Sequence, residues 1–185
     1  MKKELKVTPG IFPMPVLMIG TYNEDGSVDV MNAAWGMAQS MNNLKLCLTE
    51  SHKTVKNMKR TMSCTVALGT KDLMAESDYL GIVSGNNVPD KFAKSGLHAV
   101  KSEKVDAPII EEYPICMDCK VIDFEDDGTL VEVVSVQAEE KYLNEDGTLR
   151  LDEMGIIAYD PYGQGYYEVG NKVGNAFQEG KKIKQ

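Results

Sequence analysis

The sequence has little of what the commonest catalytic and binding fingerprints require. Only two histidines, four cysteines and one tryptophan occur in 185 residues, and aromatic residues make up 7%. No G-x-G-x-x-G, G-x-x-x-x-G-K-[ST] or G-x-S-x-G run is present, which removes the usual dinucleotide, nucleotide and hydrolase signatures. With His52 and His98 as the only imidazoles, the side chains are poorly equipped for hydrolysis, and an organic cofactor would supply what they lack. Long apolar runs are missing too: Ile11 to Gly20 is too short to span a bilayer and is broken by Pro13 and Pro15. Basic charge is in deficit, 20 Lys and Arg against 28 Asp and Glu for a net charge of -8, so neither nucleic acid nor an anionic membrane is an expected partner. Lys2 and Lys3 are followed by Glu4 and Lys6 instead of an apolar run, and the scattered cysteines suit a reducing compartment, so the expected location is the cytoplasm.

What is there reads as one ordinary globular domain spanning 1–185, with 43% apolar and 26% charged residues. Strand signals dominate. Val16 to Ile19 and Val28 to Met31 flank an Asp25-Gly26 turn, and Cys119 to Phe124 and Leu130 to Val136 flank Asp127-Gly128, so two β-hairpins are expected. A third Asp-Gly pair, Asp146-Gly147, repeats the turn chemistry without repeating its flanks. Further strands are expected at Leu44 to Leu48, Ser63 to Leu68 and Ile156 to Tyr159. Helices are confined to Lys53 to Arg60 and Asp72 to Leu80, and Val83 to Ala107 reads as a long loop with a helical insert around Asp90 to Lys94. Many short antiparallel strands with few helices predict a small closed or partly open β-barrel.

Three stretches carry candidate chemistry. Cys116-Met117-Asp118-Cys119 has metal or redox spacing, but on a strand residues three apart point to opposite faces, and no second ligand pair exists for zinc. Thr49 to Met58 reads as a strand end turning into a helix with Ser51 as its N-cap. Free N–H groups at that helix start, the Lys53 cation and the Thr54 hydroxyl would form a phosphate cradle, although a capped surface helix with an incidental lysine reads equally well. His52 alone reads as a surface residue. Met31 to Gly36 ends a strand in small residues beside Trp35, which would let a flat ring approach the backbone; the plainer reading is a tight barrel corner with Trp35 in the core.

In their order along the chain these segments resemble the flavin reductase-like family of FMN-binding split barrels. The resemblance runs from about Pro13 to Gly174: Pro13-Met14-Pro15-Val16, Met31-Asn32-Ala33-Ala34-Trp35, Ser51-His52-Lys53-Thr54, Ser84-Gly85 followed by Pro89-Asp90-Lys91-Phe92, Lys104 to Glu111, and Tyr166-Tyr167-Glu168-Val169-Gly170. It implies a mainly β fold, an antiparallel Greek-key split barrel with a few short helices, pairing as a homodimer with non-covalent FMN near the interface. By position, Met31, Asn32, Ala33 and Ala34 would lie along the isoalloxazine ring, and Ser51, Lys53 and Thr54 would hold the phosphate. Lys91 and Phe92 would close over the flavin, and Tyr167 would border the site. The family's Gly-Asp-His segment, which serves nicotinamide binding, is replaced here by Asp126-Asp127-Gly128-Thr129-Leu130, so the residue that would imply direct NADH oxidation is missing. The expected function is an FMN-dependent oxidoreductase moving electrons between NAD(P)H, as co-substrate, or a redox protein partner and a flavin or other acceptor. The alternatives are a flavoredoxin-like FMN electron carrier without NAD(P)H oxidation of its own, and a flavin- or heme-binding sensor, for which two histidines offer little.

Overall fold

The computed structural model describes residues 1–8 and 10–183. Along the chain run β1 (Met14–Pro15), β2 (Leu17–Tyr22), β3 (Val28–Ala33), β4 (Gly36–Ala38), β5 (Asn43–Leu46), α1 (Lys53–Thr61), β6 (Ser63–Leu68), α2 (Met74–Ile82), α3 (Lys91–Ser95), β7 (Ala99–Lys101), β8 (Pro108–Ile110), β9 (Ile115–Glu125), β10 (Gly128–Ala138), β11 (Ile157–Asp160) and β12 (Gly165–Glu168). Seven strands form one antiparallel sheet in the order β3-β2-β6-β9-β10-β5-β4, with β1-β11-β12 and β7-β8 as small additional sheets. Both expected hairpins are present, β2–β3 with Tyr22 opposite Val28 and β9–β10 with Glu125 opposite Gly128. Gly26 sits at φ +83° in the first turn, a conformation L side chains rarely adopt.

The connectivity forces the sheet to curl. β3 and β4 lie at its two opposite edges, yet only Ala34 and Trp35 join them. Edges of a flat seven-stranded sheet would stand roughly 29 Å apart, whereas the link from Ala33 to Gly36 reaches at most about 11 Å. The result is the antiparallel split barrel that the sequence led us to expect, with the seam at Ala34–Trp35.

Strand alternation divides the core. Leu17, Ile19, Val66, Cys64, Cys119, Val121 and Val131 pack on one face with Val55 and Met58 of α1. Val16, Met18, Val30, Ala67 and Cys116 pack on the other with Leu80 of α2, Phe92 of α3 and Ile110 of β8. Successive residues of one strand therefore serve different cores, as period-two geometry requires. The Cys116/Cys119 pair splits between them, one thiol on each face.

Two expectations shift. The helix expected over Asp72 to Leu80 begins as a 3-10 turn at Lys71–Leu73 and becomes α-helical over Met74–Ile82. The loop expected from Val83 to Ala107 contains α3 and β7 and packs through Phe92 and Leu97. Among the described residues no helix is long and apolar enough to cross a membrane.

Candidate functional site

Two adjoining cavities flank the end of α2, the second of them at the seam. The first, about 160 Å³, lies between the start of α1 (His52, Lys53, Thr54), Asp29 of β3 and the turn that follows α2 (Val83, Ser84, Gly85). The second, about 190 Å³, is walled by Trp35, Tyr159 and Tyr166 with Asp78 and Asn32. Gly81 and Ile82 at the end of α2 line both.

The first cavity is built for an anion. Helix α1 starts after an N-cap that is His52, not Ser51, and no side chain caps it. The first intrahelical bond runs from Lys56 N–H to the His52 carbonyl, which leaves the N–H groups of Lys53, Thr54 and Val55 without acceptors inside the helix. These amides collect the positive end of the helix dipole where the Lys53 side chain lines the wall. Ser51 is exposed. Its hydroxyl lies 3.1 Å from that of Thr49, and its carbonyl accepts from Asn86 Nδ2 at 2.9 Å, tying α1's entry to the turn opposite. Thr54 is fully buried and its hydroxyl donates to Asp29 Oδ2 at 3.0 Å, so Thr54 brings an amide to the cavity and not the free hydroxyl expected from the sequence.

Below the cavity floor sits a buried polar knot. Lys91 is only 2% exposed, and its ammonium donates to the carbonyls of Leu80 at 3.1 Å and Val83 at 3.0 Å, capping the carbonyl end of α2. It stands 3.6 Å from Asp29 Oδ1, close enough to neutralise that charge but too far to hydrogen-bond it. Burial pushes the Lys91 pKa down, and the Asp29 carboxylate opposes the shift. Asp29 Oδ1 therefore has no hydrogen-bond donor among the described residues. A Cβ at position 85 would collide with this oxygen and crowd Lys53, so only glycine lets the turn pass this close. Lys91 thus borders the site from beneath. Phe92, expected to close over a ligand, points instead into the core beside Leu80 and Leu97.

Strand alternation sorts the remaining expected residues. Met31 lines the first cavity, Asn32 and Ala34 the second, and Ala33 is buried in the core. The Asn32 amide donates to the Ser77 carbonyl at 3.1 Å, fastening β3 to α2. Trp35 is not a core residue: it is 47% exposed and faces Tyr159 at 6.2 Å between ring centroids. The tyrosine of β12 that faces this cavity is Tyr166, 6.1 Å from Tyr159, with its hydroxyl donating to Asp78 Oδ1 at 2.8 Å. Tyr167 points the other way, packing edge-on against Phe12. Burial and the Asp78 carboxylate push the Tyr166 pKa up to about 12.

Sequence reading missed Asp29, His52, Gly81, Ser84 and Gly85 as cavity walls, and Asp78 and Tyr166 as a pair. His52 lines the first cavity with a buried Nδ1 that lacks a partner, so the surface role expected for it does not hold. Of these, His52, Ser84, Gly85 and Tyr166 lie in recognisable segments of the sequence, whereas Asp29, Asp78 and Gly81 carried no signal.

The family model described as "Flavin reductase like domain" matches residues 10–152. The chain belongs to this family. Flavoredoxin of Desulfovibrio vulgaris (Miyazaki F) superposes with a TM-score of 0.93 at 30% identity, covering 97% of this chain and 100% of that one. An FMN-binding domain of a flavin reductases-like enzyme from Shewanella baltica shares the fold at TM-score 0.77 and 19% identity, over 87% of this chain and 88% of that one. An uncharacterized protein of Aeropyrum pernix is 27% identical over 117 residues, 62% of this chain. The match spans 44% of that curated relative's length. Membership of this flavin reductase-like family and the likeness to flavoredoxin support a flavin-related redox role.

Proposed function

We propose that the chain is an FMN-dependent oxidoreductase that holds the FMN phosphate at the start of α1 and the isoalloxazine ring along the seam beside Asn32 and Ala34. The observation that carries this reading is the first cavity: free amides at a helix start, one cation on its wall and a glycine turn opposite. Asp29, buried beneath the Gly85 turn, would add negative charge next to a bound phosphate, and Lys91 offsets that carboxylate. FMN, when bound, supplies a ring that takes up and gives back two electrons one at a time or as a hydride. The chain's own residues would bind and orient it: Lys53 would neutralise the phosphate, the Ser84–Gly85 turn would wall it from the opposite side, and Ala34 would leave room for a flat ring.

FMN is larger than either cavity, and apolar side chains stand exposed around them, with Ile82 at 75% and Met37 and Met41 beyond Trp35. A second copy covering this face completes the site, so the working unit is a homodimer. Sedimentation giving a monomer at full FMN affinity overturns this.

The electron donor has two readings. As a reductase the chain takes hydride from NAD(P)H; as a carrier it exchanges electrons with a redox protein in the cytoplasm. The 30% identity with flavoredoxin over nearly the whole chain favours the carrier. So does the β9–β10 turn, where Lys45 pairs with Glu125 and with Asp127 at 2.6 Å and no histidine stands. Following NADH and NADPH oxidation with and without added FMN separates the readings. Yellow protein without turnover identifies a carrier, and turnover only with excess flavin identifies a reductase that releases it.

Titrating FMN and riboflavin against the parent and Lys53→Ala tests the phosphate seat. A charge-assisted bond contributes about 1.5–3 kcal/mol, so FMN affinity falls roughly tenfold to a hundredfold while riboflavin affinity barely changes. Equal losses for both ligands place the phosphate elsewhere.

A further inference from the structure

Charge is unevenly spread along this chain. Residues 170–185 carry four lysines and one glutamate, whereas residues 1–169 carry 27 acidic side chains against 16 basic ones. The basic segment follows β12 and packs on nothing. Every residue from Gly170 to Ile183 is exposed, and Val173 and Phe177 stand in water at 101% and 94%. Lys182 is paired with Glu179, while Lys172 and Lys181 have no acidic partner among the described residues. The segment therefore presents two apolar side chains, Val173 and Phe177, flanked by two uncompensated ammonium groups.

A groove of complementary character opens elsewhere on the molecule. About 510 Å³ in volume, it lies between the β5–α1 link and the β9–β10 turn. Leu48 and Phe124 give it apolar surface, and Glu50, Glu125, Asp126 and Asp127 are its only charged side chains. Lys59 pairs with Glu50, and Lys45 is shared by Glu125 and Asp127, so two ammonium groups answer four carboxylates. Asp126 has no ion-pair partner among the described residues. The groove adjoins the seam, because the Cys47 N–H in its wall donates to the Trp35 carbonyl at 2.8 Å. No residue of the segment after β12 lines it.

We propose that residues 170–183 form an arm that crosses to this groove on a second copy of the chain, with Phe177 against Leu48 and Phe124 and Lys181 beside Asp126. The proposal rests on the homodimer reading and not on the flavin. Two bodies with an acidic excess repel each other, and an arm of the opposite sign offsets that repulsion where it lands. Its length suffices, since fourteen extended residues span at most about 46–50 Å. Its path suits the proposed interface too. The arm leaves from β12, whose Tyr166 faces the seam, and arrives at the groove wall bonded to Trp35. Two-fold symmetry makes the contact twice, each copy giving its arm and receiving the other's.

Cys47, the one exposed cysteine of the four, lines the groove and provides the probe. Phe177→Cys in the full chain, oxidised with glutathione disulfide, gives a covalent dimer on a non-reducing gel. Peptide mapping finds the introduced thiol joined to Cys47 of the partner subunit, and Phe177→Cys/Cys47→Ser lacks that link. Sedimentation supplies the energetics. Phe177→Asp raises the dimer dissociation constant about tenfold or more, the scale of a lost apolar anchor. Lys181→Glu raises it by a smaller factor, and adding Asp126→Lys restores the parent value, because the pair is then reversed in sign. Phe177, Lys181 and Asp126 are all exposed, so the fold tolerates these changes. A monomer band in which the introduced thiol is joined to Cys47 of its own chain places the arm in its own groove and overturns the proposal. A dimer whose dissociation constant is unchanged by Phe177→Asp overturns it as well, and the homodimer reading then stands. A parent chain that sediments as a monomer overturns both.

Discussion

The two cavities share the end of α2 and differ in almost everything that faces it. On one side stand helix-start amides, Lys53 and the buried Lys91–Asp29 pair; on the other stand three aromatic rings and Asp78. The difference shows how a split barrel builds two kinds of recognition at one seam. Backbone at a helix start supplies positive potential without any special side chain, whereas aromatic faces supply negative potential only where the fold brings separate strands together. The first kind is local in sequence and the second is not.

Lys91 gives the largest expected effect, because it underlies the shared wall. Lys91→Met leaves Asp29 buried without its counter-ion and frees the Leu80 and Val83 carbonyls, and should cost about 3–5 kcal/mol of stability in a urea melt. The double variant Asp29→Asn/Lys91→Met should recover much of that loss, since no lone charge remains. Recovery would show that the knot is a paired device. No recovery would mean that the ammonium's bonds to the end of α2 carry the stability alone.

Alkaline titration sharpens the comparison between a cavity tyrosine and a core one. Burial pushes Tyr113 up to about 12, opposed by its hydrogen bond with Ser77, while Tyr166 reaches about 12 through burial together with Asp78. Each phenol holds its proton more firmly folded than unfolded. Their stabilising contribution is therefore complete below pH 10 and lost as pH rises toward 12. Thermal melts should drop across that window. Tyr166→Phe should flatten the drop by a smaller amount than Tyr113→Phe, because Tyr166 is the less buried of the two.

Much of this was legible because it is local. Asp25-Gly26 and Asp127-Gly128 fix their hairpins by turn chemistry, and Lys53 opens α1 as the pattern predicts. What the sequence does not display is which distant residues meet. Asp29 and Lys91 are 62 positions apart and come together only because α3 wraps the β3 edge. Tyr166 and Tyr167 are equivalent in composition, and a single step along β12 decides which faces Tyr159. Ser51 is the better capping residue by type, yet the helix starts one position later, at a histidine whose side chain makes no cap.

The smallest effect is expected from the cysteines, which mark the contrast between a motif in sequence and a site in space. Cys116 and Cys119 have redox spacing, but β9 sends Cys116 into the core with Phe92 and Cys119 into the core with Met58. Across the sheet the partner of Cys119 is Cys64 on β6, a pairing that no spacing rule announces. Burial holds the Cys116 thiol up at about 12, and the hydrogen bond with neighbouring Cys64, together with burial, raises Cys119 as well, so neither is a thiolate near neutral pH. Cys116→Ser should therefore leave FMN affinity and electron transfer within about twofold of the parent, with a stability loss of roughly 1–2 kcal/mol from placing a hydroxyl in an apolar core. A large fall in electron transfer, in a variant that still folds and binds FMN, would show that the thiol takes part in the chemistry and that the two faces of β9 are less separate than its register makes them.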